Sequence, residues 1–179
     1  FTLIGATTRA GLLTSALRSR FGIVHNIRFY ETEELTAILR QAVIKLEMDA
    51  VDEASLACIA SRSRGTPRIA LRLLRRVRDY SQVRRDHRFD LSVVDEALRL
   101  EGIDGEGLDV LDRTYLEILS TVYEGGPAGV EAIAATMGED SGTLQDVVEP
   151  YLLQAGFLSR TRQGRKITEI GQKLLNGAR

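Results

Sequence analysis

The sequence predicts a mixed, mainly helical chain in three parts: the end of an α/β sheet, a helical middle, and a helical tail closed by a small ribbon. Three observations carry this. The chain opens on FTLIGATTR, a short apolar run that ends in small polar residues. The middle alternates capping residues with apolar stripes at helical spacing. Beyond a glycine-rich stretch the tail reads helix, helix, helix, then two short strands about a turn.

The 179 residues suffice for one or two small domains. Apolar residues make up 44 %, so a core can form, and charged residues 27 %. A formal net charge of −1 excludes attraction of the whole molecule to nucleic acid, so any basic surface must be local. No apolar run approaches the roughly 20 residues that span a bilayer. No charged-then-apolar leader is visible. The single Cys58 excludes an intrachain disulfide framework and a cysteine zinc site, so the expected location is cytoplasmic. Cys58 falls on the apolar pattern of ASLACIASRS. Buried packing is its expected role, since neither His25 nor His87 is near it in sequence.

Thr2 to Ala6 reads as a buried strand of the kind found in the middle of a parallel sheet. A lone central strand is not stable alone, so the chain is expected to be the later part of a longer protein. Residues 12–22 read as a short helix stopped by Gly22, and 23–30 as a second strand. Thr32 is the expected cap of a helix running to about Leu46, with Glu33 and Glu34 suiting its positive end. Leu35, Ile38, Leu39, Ala42, Val43 and Leu46 form its apolar stripe. Asp52 begins another helix, through about Arg62, and Gly65 closes it. Thr66 followed by Pro67 is a strong helix start. Ile69, Leu73, Val77 and Tyr80 then share a face that Leu74 widens. This helix carries Arg68, Arg72, Arg75, Arg76, Arg78, Arg84 and Arg85, answered within it only by Asp79. Ser92 is the expected cap of VVDEALRL.

EGIDGEGLD, with its three glycines, reads as a domain boundary. The expected division is 1–30, 31–101, a linker at 102–108, and 109–179. Helices are expected at about 110–124, 130–137 and 143–155. Two short strands within 156–168 join at Arg162-Gln163-Gly164, and a last helix spans about 169–176. That layout is a winged helix-turn-helix.

Three places before the boundary suit a nucleoside triphosphate. Thr7-Thr8-Arg9 lies just past the end of a parallel strand, where ligands of open α/β sheets gather. Arg18 and Arg20 stand in LRSRFG. Arg68 opens the arginine-rich helix, where the macrodipole disfavours a cation unless an anion is also present. A guanidinium grips phosphate oxygens through two parallel hydrogen bonds. By spacing alone each place has a plainer reading: a turn or cap for Thr8, a salt-bridged or solvated side chain for Arg20, a surface charge for Arg68.

FTLIGATTRAGLLTSALRSRFGIV resembles the sensor-1 and arginine-finger region of AAA+ ATPases, and RSRGTPRIALRLLRRVRDY resembles their sensor-2 helix in the small lid domain. With EPYLLQAGFLSRTRQGR added, the chain is similar throughout to the members of that family that drive branch migration of Holliday junctions. The resemblance implies an AAA+ large-domain end, a lid and a winged-helix tail. It implies that Thr8 positions the γ-phosphate and attacking water. Arg20 matches the finger that reaches the ATP of the adjacent subunit, with Arg18 the lesser candidate. Tyr30 matches a nucleotide-contacting aromatic whose plainer role is packing under the lid. Arg68 matches sensor 2, which holds phosphate from the lid. The implied cofactors are ATP and Mg2+, and the implied partners are double-stranded DNA, Holliday junctions, a junction-binding protein and the other copies of a hexamer. No GxxxxGK[ST] loop occurs in the sequence, and no apolar run ends in paired acids. The magnesium ligands are therefore expected upstream, and the fragment alone is expected to be inactive.

Residues 109–179 hold seven Lys or Arg against ten Asp or Glu, yet Arg160, Arg162, Arg165 and Lys166 crowd around the ribbon tip. This suits phosphate contacts along a groove, against a solvated turn as the alternative. The resemblance assigns DNA contact to Arg160 and Arg165. Arg162 falls where the family commonly has proline, so no role carries over. Ser141 is expected to cap the recognition helix. Of the remaining arginines, Arg72, Arg75, Arg76 and Arg78 are expected to face solvent, carboxylates of neighbouring helices or another subunit. Two other readings stay open at this point. A non-enzymatic winged-helix regulator leaves Thr8, Arg20 and Arg68 without purpose. Another AAA+ protein, such as a clamp-loader subunit, carries a helical collar in place of a winged-helix tail.

Overall fold

The computed structural model describes residues 1–7, 10–48 and 51–177. Its helices follow the apolar periodicity closely. After a single 3-10 turn at Ala10–Leu12 come α1 (Ser15–Arg18), α2 (Thr32–Lys45), α3 (Glu53–Ser61), α4 (Pro67–Arg84) and α5 (Leu91–Leu100). The tail contains α6 (Val110–Thr121), α7 (Val130–Met137), and a helical run made of α8 (Ser141–Thr143), a π turn (Leu144–Val148) and α9 (Glu149–Gln154). Strands β1 (Leu158–Thr161) and β2 (Gly164–Ile167) and helix α10 (Glu169–Gly177) complete it.

Two separate cores form. Leu35 and Leu39 of α2 pack with Leu56, Ile59, Leu73, Leu74, Val77 and Leu98 to close the four-helix unit α2–α5. Ile38, Ala42, Val43 and Leu46 lie along its edge, as the stripe predicts, and so do Ile69 and Tyr80. Cys58 is half-buried against the same core, and burial raises its thiol pKa. The second core joins Leu116, Leu119, Ile133, Leu144, Leu152, Phe157 and Ile167 under the ribbon. The ribbon is antiparallel, with Arg160 opposite Arg165 and Thr161 opposite Gly164. Ala128 pairs with Arg165 along the free edge of β2. Helices α6, α7 and α8–α9 followed by this ribbon make the expected winged helix-turn-helix.

The start of the chain departs from expectation. Among the described residues, neither 2–6 nor 23–30 forms a strand, and the only sheet is β1–β2. A central strand exists only through the hydrogen bonds of its neighbours, and these segments have no ladder partner. Their large apolar residues Ile4, Ile23, Val24 and Ile27 are exposed. The helix expected at 12–22 shrinks to α1.

Three caps also differ. Glu31, not Thr32, precedes α2, and its backbone N–H donates to Glu34 Oε2 at 2.9 Å. Asp90, not Ser92, caps α5 by accepting from the N–H of Ser92 and Val93, both at 3.1 Å. Asp140, not Ser141, caps the recognition helix by accepting from the Thr143 N–H at 3.0 Å. In each case an acidic residue one or two places earlier takes the orphan amides, which suits the helix dipole better than a hydroxyl. Asp52 caps α3 as expected, accepting from the Ser55 N–H at 2.6 Å.

Candidate functional site

The first candidate site is built around the start of α4. Pro67 supplies the first helical residue, and Thr66 precedes it in extended conformation. The Thr66 hydroxyl donates to the Arg64 carbonyl at 3.2 Å, so it holds the turn and not the helix amides. Gly65 lies at φ +64°, and its carbonyl accepts from the Tyr30 N–H at 2.8 Å. A Cβ there would fall 2.7 Å from Phe29 Cβ, so only glycine lets the 29–30 segment lie on this turn. The turn thus anchors Tyr30 just ahead of the helix that carries Arg68. Arg68 is exposed one residue inside α4, and no carboxylate among the described residues pairs with it. Tyr30 is 41 % exposed, so it is not simply packed under the helices. It borders an open cleft of about 220 Å³ shared with Glu31, Arg64, Gly65, Tyr151 and Gln154.

Arg20 follows α1 on an exposed segment outside both cores, without a carboxylate partner among the described residues. Thr8 lies outside the described residues. No group of three or more His, Cys, Asp or Glu among the described residues is placed to hold a metal ion.

The rest of the arginine row divides in two. Arg76 pairs with Glu101 at 3.8 Å, Arg78 with Asp79 at 2.7 Å, and Arg85 with Glu96 through Nε at 3.0 Å. Glu96 and Glu101 belong to α5 or its cap, so a neighbouring helix answers part of the excess that looked unanswered in the sequence. Arg72 and Arg75 are exposed and, among the described residues, pair with no carboxylate. With Arg68 they sit at helical spacing along one face of α4.

The second candidate site is the ribbon. Arg160 and Arg165 face each other across the two strands, and both turn onto Glu149, whose side chain has no solvent exposure. Arg160 Nε donates to Glu149 Oε2 at 2.9 Å, and its Nη2 to the same oxygen. Arg165 Nε donates to Oε1 at 2.9 Å and its Nη2 to Oε2 at 3.3 Å. Tyr115 Oη donates to Oε1 at 3.0 Å. Burial, and then the neighbouring Glu149 carboxylate, raise the Tyr115 pKa far above the ordinary phenol value. Arg160 keeps 48 % of its side chain exposed, against 17 % for Arg165. Arg162 and Lys166 are exposed and unpaired among the described residues. Glu149 was missed in the sequence. Its one signal is an acid directly before Pro150 in an otherwise apolar helical run.

A third cluster joins the two cores. The Arg64 side chain, 12 % exposed, leaves the α3–α4 turn and reaches the second unit. Its Nε donates to the Gly107 carbonyl at 2.9 Å and its Nη2 to Asp109 Oδ2 at 2.9 Å and to Asp112 Oδ2. Its guanidinium lies 5.2 Å from the centre of the Tyr151 ring. Asp112 is wholly buried, its Oδ1 has no hydrogen-bond partner, and burial pushes its pKa up to about 6 against the opposing pull of Arg64.

Three family models match the chain in order. The Holliday junction DNA helicase RuvB P-loop domain matches residues 1–27, the RuvB AAA lid domain 30–104, and the RuvB C-terminal winged helix domain 105–176. The solved Thermotoga maritima RuvB Holliday junction branch migration motor is 48 % identical, with a TM-score of 0.90 over 96 % of this chain and 57 % of that one. Two single-residue variants of it match at 48 % and 47 % identity, with TM-scores of 0.89 and 0.90 over the same shares. The chain therefore spans little more than half the length of these structures. With every part of it matched in the same order, the chain belongs to the RuvB family.

Proposed function

We propose that this chain is part of an ATP-driven DNA translocase subunit that powers branch migration of Holliday junctions as a hexameric ring on duplex DNA. ATP is the nucleotide, with Mg2+ held by residues upstream of Phe1. In this reading Thr8 and Arg20 serve the chemistry, Arg20 acting on ATP bound by the adjacent copy. Tyr30 and Arg68 hold the nucleotide from the lid side. Arg160 and Arg165 meet DNA phosphates. RuvA and RuvC are the expected partners at the junction, and the cytoplasm is the expected compartment. Among the described residues no helix is long and apolar enough to cross a membrane.

One observation carries the proposal: Arg68 stands exposed at the positive end of α4, without a carboxylate partner among the described residues, just after the turn whose Gly65 carbonyl takes the Tyr30 N–H. A cation is disfavoured there unless an anion joins it, and a triphosphate is such an anion. A winged-helix regulator gives Arg68 no such role, and the match of the tail to a RuvB winged helix disfavours a clamp-loader subunit.

The test uses the full-length protein. Subunits carrying Arg20→Ala are mixed with subunits whose P-loop lysine is replaced, and ATP hydrolysis is measured. Each variant alone is expected to lose about a thousandfold in rate, and the mixture to regain activity at interfaces that combine an intact P-loop with an intact arginine. A mixture as inactive as its components refutes action across the subunit boundary.

A further inference from the structure

We infer that Glu149 is a positioning residue for the DNA grip: a buried carboxylate that aims the Arg160 and Arg165 guanidinium groups at one phosphate. The inference rests on the DNA-binding role proposed for the ribbon. Two arginines directly opposite on an antiparallel pair repel each other, and a sheet built only for stability avoids that arrangement. Here the repulsion is absorbed by an anion placed underneath both. Glu149 has no solvent exposure, so the cluster is fixed and dry on its inner side.

The hydrogen-bond inventory supports an aiming role. Glu149 takes Arg160 through Nε and Nη2 and Arg165 through Nε and Nη2. Each guanidinium is therefore held by one edge. Among the described residues no protein group takes Nη1 of either. Arg160, half exposed, keeps that nitrogen available. Tyr115 fills the remaining acceptor position on Oε1, so the carboxylate cannot rotate without losing a bond. Two guanidiniums against one carboxylate leave a net charge of +1 on the ribbon. That surplus is what a phosphate would neutralise. Holding both side chains before DNA arrives removes the rotamer entropy otherwise lost on binding.

Positioning and simple charge neutralisation predict opposite signs. Glu149→Gln removes a negative charge beside two arginines. If Glu149 only dampened their charge, the variant would bind DNA more tightly, with a steeper salt dependence. If it aims them, affinity falls despite the added positive charge. The experiment measures binding of the intact protein to a fluorescent 30-base-pair duplex of mixed sequence over a salt series. Wild type, Glu149→Gln, Glu149→Asp, Tyr115→Phe and the double variant Arg160→Ala/Arg165→Ala are compared. Backbone amide NMR spectra of residues 158–167 accompany each.

Glu149→Gln and Glu149→Asp are expected to bind about tenfold more weakly at every salt concentration, with unchanged strand amides. Glu149→Asp keeps the charge but shortens the reach, so it tests aim even if the glutamine variant folds poorly. Tyr115→Phe removes one of the bonds that fix the carboxylate and is expected to bind with an affinity between those of wild type and the Glu149 variants. Equal or tighter binding by both Glu149 variants overturns the inference, as does weaker binding accompanied by altered strand amides, which makes Glu149 a mere fastener of the wing. The double arginine variant separates the two readings. If it binds like wild type, the DNA role of the ribbon fails and the inference with it. If it binds weakly while the Glu149 variants do not, only the inference fails.

Discussion

Asp112 loses all contact with solvent while pairing with a guanidinium from another part of the fold, and burial outweighs the pairing. Its pKa near 6 lies above the value of a carboxyl in an unfolded chain. Between about pH 4 and pH 6 the unfolded chain has released this proton and the folded chain still holds it. Folding stability contributed by Asp112 is thus fully present below about pH 4 and is lost as pH rises through 6. Arg64 and Asp109 are the charged groups that face it. Asp112→Asn removes the titration. The stability of the variant relative to wild type is expected to improve by on the order of 2 kcal/mol between pH 4 and pH 7. Urea denaturation at a series of pH values measures it, and a difference independent of pH contradicts the assignment.

The ribbon and the caps show what elements owe to their immediate neighbours. Gly164 sits at φ +140°, and a Cβ on it would lie 2.3 Å from the Ala128 carbonyl oxygen. That approach lets Ala128 pair with Arg165 and tie the ribbon to the segment before α7. Gly164→Ala is expected to destabilise the winged-helix unit by about 2–3 kcal/mol, through both the clash and the backbone strain. The measurement is the urea midpoint followed by Tyr fluorescence, and a change under 0.5 kcal/mol, about what a neutral surface substitution gives, speaks against it. The caps teach a related lesson. From α2 onward helix starts were legible to within a residue or two, because apolar periodicity marks where burial begins. Which side chain caps was not legible, because Asp90 and Asp140 compete with Ser92 and Ser141 over the same few amides.

At the scale of the whole molecule, Arg64 bridges the two cores, beside Arg113 on Asp104 and Tyr151 on the Glu106 carbonyl. Arg64 couples the turn that precedes Arg68 to the first helix of the winged-helix unit. Arg64→Ala leaves the buried Asp112 carboxylate without its cation, which costs about 3–5 kcal/mol. Calorimetry of the variant is expected to resolve two melting transitions where the wild-type chain gives one, the lower belonging to the winged-helix unit. A single transition in the variant means that other contacts couple the cores. The strands expected at 2–6 and 23–30 belong to this scale too. Their apolar character was read correctly, but a strand is completed only by neighbours that supply its hydrogen bonds.

By itself the sequence determined the helical stripes, the division into two apolar cores and the winged-helix layout of the tail. These depend on periodicity and on residues three or four places apart, which a linear reading captures. It also marked Arg20, Tyr30, Arg68, Arg160 and Arg165 as candidates, largely through family resemblance. Only the tertiary structure decided their surroundings: Tyr30 on the Gly65 turn, Glu149 beneath two arginines, Arg64 upon Asp112. Those partners lie 11 to 48 residues apart along the chain. What joins them is the pairing that burial demands of a polar or charged group, a demand that arises only once the chain has closed around it.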